Sequence, residues 1–530
     1  MKTILTFIAT LTITTIVWSQ NVSIAWQKTI GGDNLDQITA FDATADGGFI
    51  LGGHSNSKIS GEKTENNING SIDVWIVKVD AAGNIIWQNT IGGNLFDGVN
   101  SIKQTADGGY IVGAMSDSGI SGDKTENSRG TSDYWILKLD AVGNIIWQKT
   151  YGGKHVEANT RVVETPDGGY FVTGRSESDV TGDKTIPSKG MVDFWLLKLN
   201  STGGIVWQKG IGGSGNDMFS GSLPTSEGGY LLYGTSFSMI SGDKTEVSRG
   251  LSDYWIVKID VDGNILWDKT YGGNLEDDLK HVIQTTDGGY LLGGISRSSI
   301  SGDKTEPSRI NYDYWILKLN STGSLVWQKT IGGNAADYVS EVKQLQDGTY
   351  LVSGHSQSPI SGDKTQNTNG DYDIWLVNLS TTGQILKQNS IGGSLWEQET
   401  YLHQLQDGNL VLFSNSNSNI SGDKTDNSRG SRDFWVFKTS TQILETQKNT
   451  FDRAVTVYPN PTSGIFSLDL GRTHSEINVI ITNTVGQIIS KSTHQNKQTL
   501  NLELKASPGV YLITVTTNDT KQTTFKIIKK

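Results

Sequence analysis

Ile91 to Thr150 read IGGNLFDGVNSIKQTADGGYIVGAMSDSGISGDKTENSRGTSDYWILKLDAVGNIIWQKT, and close variants of this stretch fill most of the chain. The anchor, Ile or Tyr followed by two glycines, stands at Ile30, Ile91, Tyr151, Ile211, Tyr271, Ile331 and Ile391, so the first spacing is 61 residues and the others 60. Self-similarity at such a period marks an array of one supersecondary unit, stacked so that neighbours bury a shared core. A residue present in all seven copies is scaffold first. Function is expected where the copies differ.

Each period holds four strand-like runs. In the second copy these are Val99–Gln104, Tyr110–Met115, Tyr134–Leu139 and Ile145–Thr150. Asp107-Gly108-Gly109 turns the first run into the second, because glycine supplies the positive φ of a tight hairpin. The third run is almost continuously apolar, as in a strand covered on both faces, whereas the fourth alternates as an outer strand does. Four antiparallel strands repeated seven times predict an all-β chain: a seven-bladed β-propeller of four-stranded blades over residues 20–445. A parallel β-helix is the competing repeat fold, but its coils are usually shorter and need no hairpins. Ala25–Ile30 is a stray fourth strand ahead of the first repeat, and the last repeat degenerates after Asp433–Lys438. The N-terminal strand is therefore expected to complete the last blade and close the ring, removing two exposed edges. Gln442-Ile443-Leu444 is a second candidate for that slot.

Tryptophan recurs on the third strand at Trp75, Trp135, Trp195, Trp255, Trp315, Trp375 and Trp435, and on the fourth at Trp26, Trp87, Trp147, Trp207, Trp267 and Trp327. Such regularity reads as packing between blades. Lys387 replaces the fourth-strand Trp of the sixth copy, so looser packing is expected there. The DxxGNIIW stretch resembles the tryptophan-docking segment of quinoprotein-type propellers, and the repeat as a whole is similar to bacterial secreted propeller repeats. The resemblance implies fold alone, since no quinone or metal constellation accompanies it.

The 530 residues carry a net charge of -11, with 63 Gly and no Cys. An acidic balance argues against a nucleic-acid partner. The absence of Cys excludes disulfides, thiolate metal sites and Cys nucleophiles. Residues 1–19 read as a signal peptide: Lys2, an apolar run from Ile4 to Val17, then a small-residue cleavage site after Ser19. No other segment is apolar enough to cross a bilayer, so the mature chain has no expected transmembrane segment.

Strand alternation places the segment after I/Y-G-G and the long polar loop around SGDKT on one face, with the hairpins on the other. Long loops on a rigid scaffold are where binding residues concentrate. On that face Phe96, His155 and Trp396 depart from the repeat, and a basic residue recurs late in the long loop at Arg129, Lys189, Arg249, Arg309 and Arg429. Aromatic, amide and basic groups together suit a glycan or protein ligand. The Asp-Lys pairs such as Asp123-Lys124 form a sevenfold ring that Ca²⁺ would need further oxygen ligands to use; they read instead as Asp capping a turn and Lys balancing it in solvent, with no cofactor expected. Asp133 and its equivalents, with Ser116 and its equivalents, are expected to share a buried hydrogen-bond network in each blade. His54, His155, His281, His355 and His403 are scattered, and there is no HExxH, GxSxG or phosphate loop, so no catalytic residue is assigned. The alternative is a secreted carbohydrate-active enzyme using Glu276 and Asp277 as its paired acids.

From Phe451 the composition changes. Residues 452–530 contain no Trp and hold nine Lys and Arg against five Asp and Glu, a net of +4. Alternating strands and turns predict a small Ig-like β-sandwich over residues 454–530, after a linker at 446–453. Its motifs are Tyr458-Pro459-Asn460-Pro461 with Gly464, then Asn483-Thr484-Val485-Gly486-Gln487, then Pro508-Gly509-Val510-Tyr511, and a terminal Lys526-Ile527-Ile528-Lys529-Lys530. In this order they closely resemble the type A sorting domain of type IX secretion cargo of the Bacteroidota. That resemblance implies the type IX machinery as partner, with release to the medium or attachment at the outer-membrane surface.

Overall fold

The computed structural model describes residues 23–440, 456–483, 488–517 and 522–530. The expected signal peptide, the linker 446–453, Gln442-Ile443-Leu444 and Gly486 lie outside them. The chain divides into two compact units, Met1–Ile443 and Leu444–Lys530.

The described strands of the first unit form seven four-stranded antiparallel sheets. In repeat two the strands are Asp97–Gln104, Tyr110–Ser116, Asp133–Leu139 and Ile145–Tyr151, paired in that order. Gly108 has φ +83°, and the hairpin closes where the Thr105 N–H donates to Gly109 O and the Gly108 N–H to Thr105 O, both at 2.9 Å. The third strand is buried at every position and the fourth is mostly half-buried, as their apolar patterns require. First strands of successive sheets touch one another, and Asp36–Ala43 of repeat one touches Glu397–Gln404 of repeat seven, so the series returns on itself. The closing sheet takes its outer strand from the other end of the chain. Ile24–Ile30 pairs antiparallel with Asp433–Thr439, Lys28 opposite Val436.

No single core holds these sheets; one apolar layer fills each junction. Ile76 and Ile91 of repeats one and two pack with Val99, Tyr110, Val112 and Trp135. The closing junction is built the same way, from Ile30, Ile38, Phe49 and Trp75 against Val411, Phe413 and Phe434. Third-strand tryptophans are buried, and each indole N–H reaches a fourth-strand side chain, Trp135 Nε1 donating to Gln148 Oε1 at 3.0 Å. Fourth-strand tryptophans cover the turn glycine of the next repeat. A Cβ on Gly143 (φ +91°) would lie 2.6 Å from the Trp87 ring, so only glycine lets the ring lie flat on the turn. Lys387 is the exception in sequence, and repeat seven has Ile443 where the other copies have their turn glycine.

The junctions also carry charge, and here the expectations need correction. Lys63, Lys124, Lys184, Lys244, Lys304, Lys364 and Lys424 do not balance Asp in solvent: each is 1% exposed. Lys124 Nζ donates to Thr150 Oγ1 at 2.6 Å and lies 5.1 Å above the Trp135 ring. Burial lowers its pKa to about 8, against the pull of Asp97 and Asp133. The serine network is also wired differently. Ser176 Oγ donates to Glu157 Oε1 at 2.7 Å, so these serines serve the acid that opens the first strand, not the Asp that opens the third. That first-strand acid fixes the I/Y-G-G turn, Gly93 N–H donating to Asp97 Oδ2 at 2.7 Å and Ser118 Oγ at 2.9 Å. Third-strand and first-strand acids of successive repeats repel across each junction: burial raises the Asp73 pKa to about 6, with Asp97 adding to the rise.

Side chains near the axis differ from copy to copy but do one job, tying each first strand to the next. Thr39 Oγ1 donates to Val99 O (2.6 Å), Ser101 Oγ to Thr160 O (3.0 Å), Asn159 Nδ2 to Phe219 O (2.9 Å) and Ser220 Oγ to Leu279 O (2.7 Å). The Leu402 N–H donates to Glu341 Oε2 at 2.7 Å, and burial pushes that carboxyl up to about 7.

The second unit is a five-stranded antiparallel sheet in the order Thr456–Tyr458, Ile465–Asn483, Gly509–Thr517, Gln522–Lys529, with Ile488–Glu503 also pairing Ile465–Asn483. Period-two alternation puts Phe466, Leu468, Leu470, Ile477, Val479, Ile481, Tyr511, Ile513 and Val515 on its core face.

Candidate binding face

The two loop types of each repeat interlock as the strand alternation requires. In repeat two the Asp123 N–H donates to Gly92 O (2.8 Å), the Asn94 N–H to Ser121 Oγ (3.0 Å) and the Leu95 N–H to Ser118 Oγ (3.0 Å). The hairpins bind the next repeat instead, the Ala106 N–H donating to Glu164 Oε2 at 2.8 Å. One face is thus made of loops pinned at several points.

The recurring basic residues are spent within that face. Arg129 Nε lies 2.9 Å from Asp183, Arg249 Nε 2.9 Å from Asp303 and Arg309 Nη2 2.6 Å from Asp363, and Lys189 pairs with Asp243. Each joins one repeat to the SGDKT carboxylate of the next. Arg429 reaches Glu62 of repeat one at 2.9 Å and closes the series, while Asn369 keeps the link by donating to Asp423 at 3.3 Å. Partly exposed pairs of this kind stabilise by about 1 kcal/mol or less each. Their first role is as staples.

The three remaining candidates stand apart. His155 is exposed in the turn of repeat three, its N–H donating to Ser178 Oγ at 2.9 Å. Phe96 packs edge-on against His54, with centroids 5.6 Å apart. Trp396 is 41% exposed; its indole N–H donates to Asp371 Oδ2 (2.9 Å) and its backbone N–H to Asn417 Oδ1 (2.8 Å).

Around Trp396 lies a cluster that the sequence reading missed. Tyr312 and Tyr372 precede the invariant Asp of the third strand, Tyr338 follows the acid, Asp or Glu, that opens the first, and His355 sits near the end of the second. Tyr338 has its ring centroid 5.6 Å from Tyr312, 5.2 Å from His355 and 6.2 Å from Tyr372. His355 also meets Tyr372 edge-on at 5.3 Å, and a parallel backbone bridge joins Tyr372 to Trp396. At the other end the Arg297 guanidinium lies 5.3 Å over the Tyr312 ring and pairs with Glu276 at 3.4 Å. Burial holds His355 down to about 4, so it is neutral above pH 5. Aligning the copies is the signal that finds these residues: Tyr312 and Tyr372 answer to Ser132, Val192 and Ser252.

Glu276 and Asp277 do not form an exposed acid pair. Asp277 is fully buried, accepting from the Gly273 N–H (2.6 Å) and Ser298 Oγ (2.9 Å), and burial raises its pKa. It is repeat five's copy of the acid that every repeat uses to fix its turn. Among the described residues no group of three or more His, Asp or Glu has an arrangement that could hold a metal ion, and no helix is long and apolar enough to cross a membrane.

In the second unit the sorting-motif residues far apart in sequence meet. Asn460 Oδ1 accepts from the Ile528 N–H (2.9 Å), and Thr462 exchanges backbone bonds with Ile528 and Lys530 (2.8 and 2.9 Å). Tyr458 is exposed and ends a short edge strand; Pro459 and Pro461 follow it, and Gly464 (φ +131°) accepts from the Leu504 N–H at 2.7 Å. Gly509 pairs with Lys529, and Tyr511 Oη donates to Ser507 O at 2.8 Å.

Residues 456–530 match the family model of the secretion system C-terminal sorting domain. The chain is similar to regulatory protein FlaEY of Caulobacter vibrioides, 22% identical over 375 residues that cover 64% of this chain and 38% of that protein. It is also similar to the uncharacterized WD repeat-containing protein L264 of Acanthamoeba polyphaga mimivirus, 21% identical over 482 residues that cover 71% and 34%. The chain therefore spans 38% and 34% of the length of these two curated relatives. Among solved structures it is similar to the WD40 domain of Neurospora crassa Pan2, 11% identical with a TM-score of 0.42, covering 81% of this chain and 99% of that one. A closed series of four-stranded sheets followed by this tail defines a secreted β-propeller repeat protein. The tail is a type IX sorting domain, which directs the chain to the medium or the cell surface.

Proposed function

We propose that this is a non-enzymatic binding protein: a seven-bladed β-propeller over residues 20–445 that presents its loop face to a glycan or protein outside the cell. A signal peptide, 1–19, starts its export in a member of the Bacteroidota, and an Ig-like sandwich, 454–530, engages the type IX machinery after a linker at 446–453. The observation that carries the binding reading is the gathering of repeat-breaking aromatics on one stretch of the loop face, with Tyr312 and Tyr372 where the other copies have Ile72, Ser132, Val192, Ser252 and Arg432, and Tyr338 where they have Gln, Gly, Ala, Met or Asp. Exposed aromatic patches on a rigid scaffold mark interaction sites. The burial of Asp277 favours binding over the glycosidase alternative.

The test is an array of immobilised glycans and extracellular proteins, run beside an activity screen on plant and algal polysaccharides. Saturable binding without turnover is expected. Turnover that disappears when a loop-face carboxylate such as Asp371 or Glu276 is changed would replace this reading with the enzymatic one.

A further inference from the structure

Resting on the loop-face reading, the geometry points to the ligand class: we propose that Tyr312, Tyr338, Tyr372 and Trp396, edged by Arg297 and Asp371, form a subsite for an uncharged polysaccharide. Three observations combine. The first is shape. A sugar ring offers a C–H face to stack on an aromatic ring and a rim of hydroxyls to hydrogen-bond, so its site needs flat rings beside fixed polar groups. Here the tyrosine centroids step by 5.6 and 6.2 Å, on the order of one sugar ring each, across repeats five and six and on toward Trp396 of repeat seven.

Rigidity is the second. Tyr312 O accepts the Asp337 N–H at 2.8 Å and Tyr372 O the Glu397 N–H at 2.7 Å, so the backbones that carry the rings are fixed to the next first strand. Asp371 and Asn417 are already oriented by the two N–H groups of Trp396. A carboxylate has about four acceptor positions, so Asp371 can hold the indole and still accept from a hydroxyl. Little ordering remains to be done when a ligand arrives.

Charge is the third. Arg297 is offset by Glu276, the central imidazole is neutral at working pH and Asp371 adds a negative charge, so the row has no positive field to draw an anionic chain. The rings are edged by fixed polar groups, Arg297 and Glu276 at one end and Asp371 and Asn417 at the other, placed to meet the hydroxyl rim of a sugar stacked on them.

The test uses the whole mature chain in native gels containing hydroxyethylcellulose, laminarin or galactomannan, with alginate as the charged arm. Retardation by at least one uncharged polymer and none by alginate is expected. Trp396→Ala and Tyr338→Ala should weaken it about tenfold or more, the scale of a lost aromatic anchor, with Trp396→Phe losing far less. Ile146→Ala, on an outer strand away from the loop face, should bind as the parent does. Unchanged melting midpoints show that the variants fold, as expected for half-exposed rings. Retardation by alginate alone, or full binding by Trp396→Ala and Tyr338→Ala, overturns the subsite. If binding is lost instead in Phe96→Ala or His155→Ala, the loop-face reading survives and this subsite does not. A protein ligand lost on Trp396→Ala, with no polysaccharide retarding the parent, overturns the sugar assignment alone. No ligand of any class on the array defeats both.

Discussion

Replacing Lys304 with Met tests whether the buried lysines are what let each junction hold its acids. Lys304 is 1% exposed, donates to Thr330 Oγ1 at 2.7 Å and lies 5.1 Å above the Trp315 ring. Burial lowers its pKa to about 8, opposed by Asp277 and Asp313, and burial raises Asp313 to about 6. Met fills much the same volume, so the change removes charge rather than packing. Lys304 lies beyond direct ion-pair distance of both acids, so the cost of leaving their buried charge less compensated is at most the roughly 3–5 kcal/mol of a broken buried pair. At about 2.1 cal/mol/K per residue, a unit of roughly 420 residues has an unfolding entropy near 0.9 kcal/mol/K, so the midpoint should fall by up to about 3–6 °C at pH 7.5.

The pH dependence separates this account from a simple packing loss. Asp313 has a folded pKa raised above its unfolded value, so its stabilising protonation is complete below about pH 4 and is lost as the pH rises through about 6. At pH 5 the native state already holds that proton, and Lys304 has less charge to compensate. The deficit of Lys304→Met, read by differential scanning fluorimetry, should therefore shrink to about half or less between pH 7.5 and pH 5. A deficit of the same size at both pH values, or none at pH 7.5, would refute the reasoning.

Deleting Ile24–Ile30 should expose the edge of Asp433–Thr439 and open the closing junction, lowering the melting midpoint by about 10 °C or more and promoting aggregation on the free edge; an unchanged midpoint in fluorimetry and a monomeric elution profile would count against closure. Removing residues 451–530 should leave a folded first unit in the periplasm of a type IX-competent host, since each unit has its own core; fractionation that finds it outside in normal amounts would sink the sorting assignment. Chelation with EDTA should move the midpoint by about 1 °C or less, because a bound metal would stabilise through linkage; a larger fall would revive a calcium ring.

Much of the architecture was legible because a strict period repeats each signal seven times. The turn glycines, the apolar third strand and the stray N-terminal strand each stand in the sequence as local patterns, and the sheet pairing follows from them. The sorting motifs were legible for the same reason, as spaced local residues. The candidate face was less so. The basic residues at Arg129, Arg249 and Arg309 read as ligand contacts because late-loop positions look exposed, yet their partners are carboxylates about 54 residues away in the next repeat. Tyr312, Tyr338 and Tyr372 escaped notice because each sits beside an acid that every repeat carries and passes for scaffold.

The sequence by itself determined the unit and its number of copies, because strand period, hairpin glycines and apolar runs are local properties that need no neighbour. Only the tertiary structure decided which polar groups are buried and which rings meet. Lys304 has the composition of a surface residue, and its burial depends on Trp315, Thr330, Asp277 and Asp313, which converge on it from three strands. Tyr338 meets Tyr312 because successive repeats pack side by side, which brings a residue 26 positions away in the preceding repeat to within about 6 Å. That distance is set by the packing of neighbouring repeats, and no single repeat contains it.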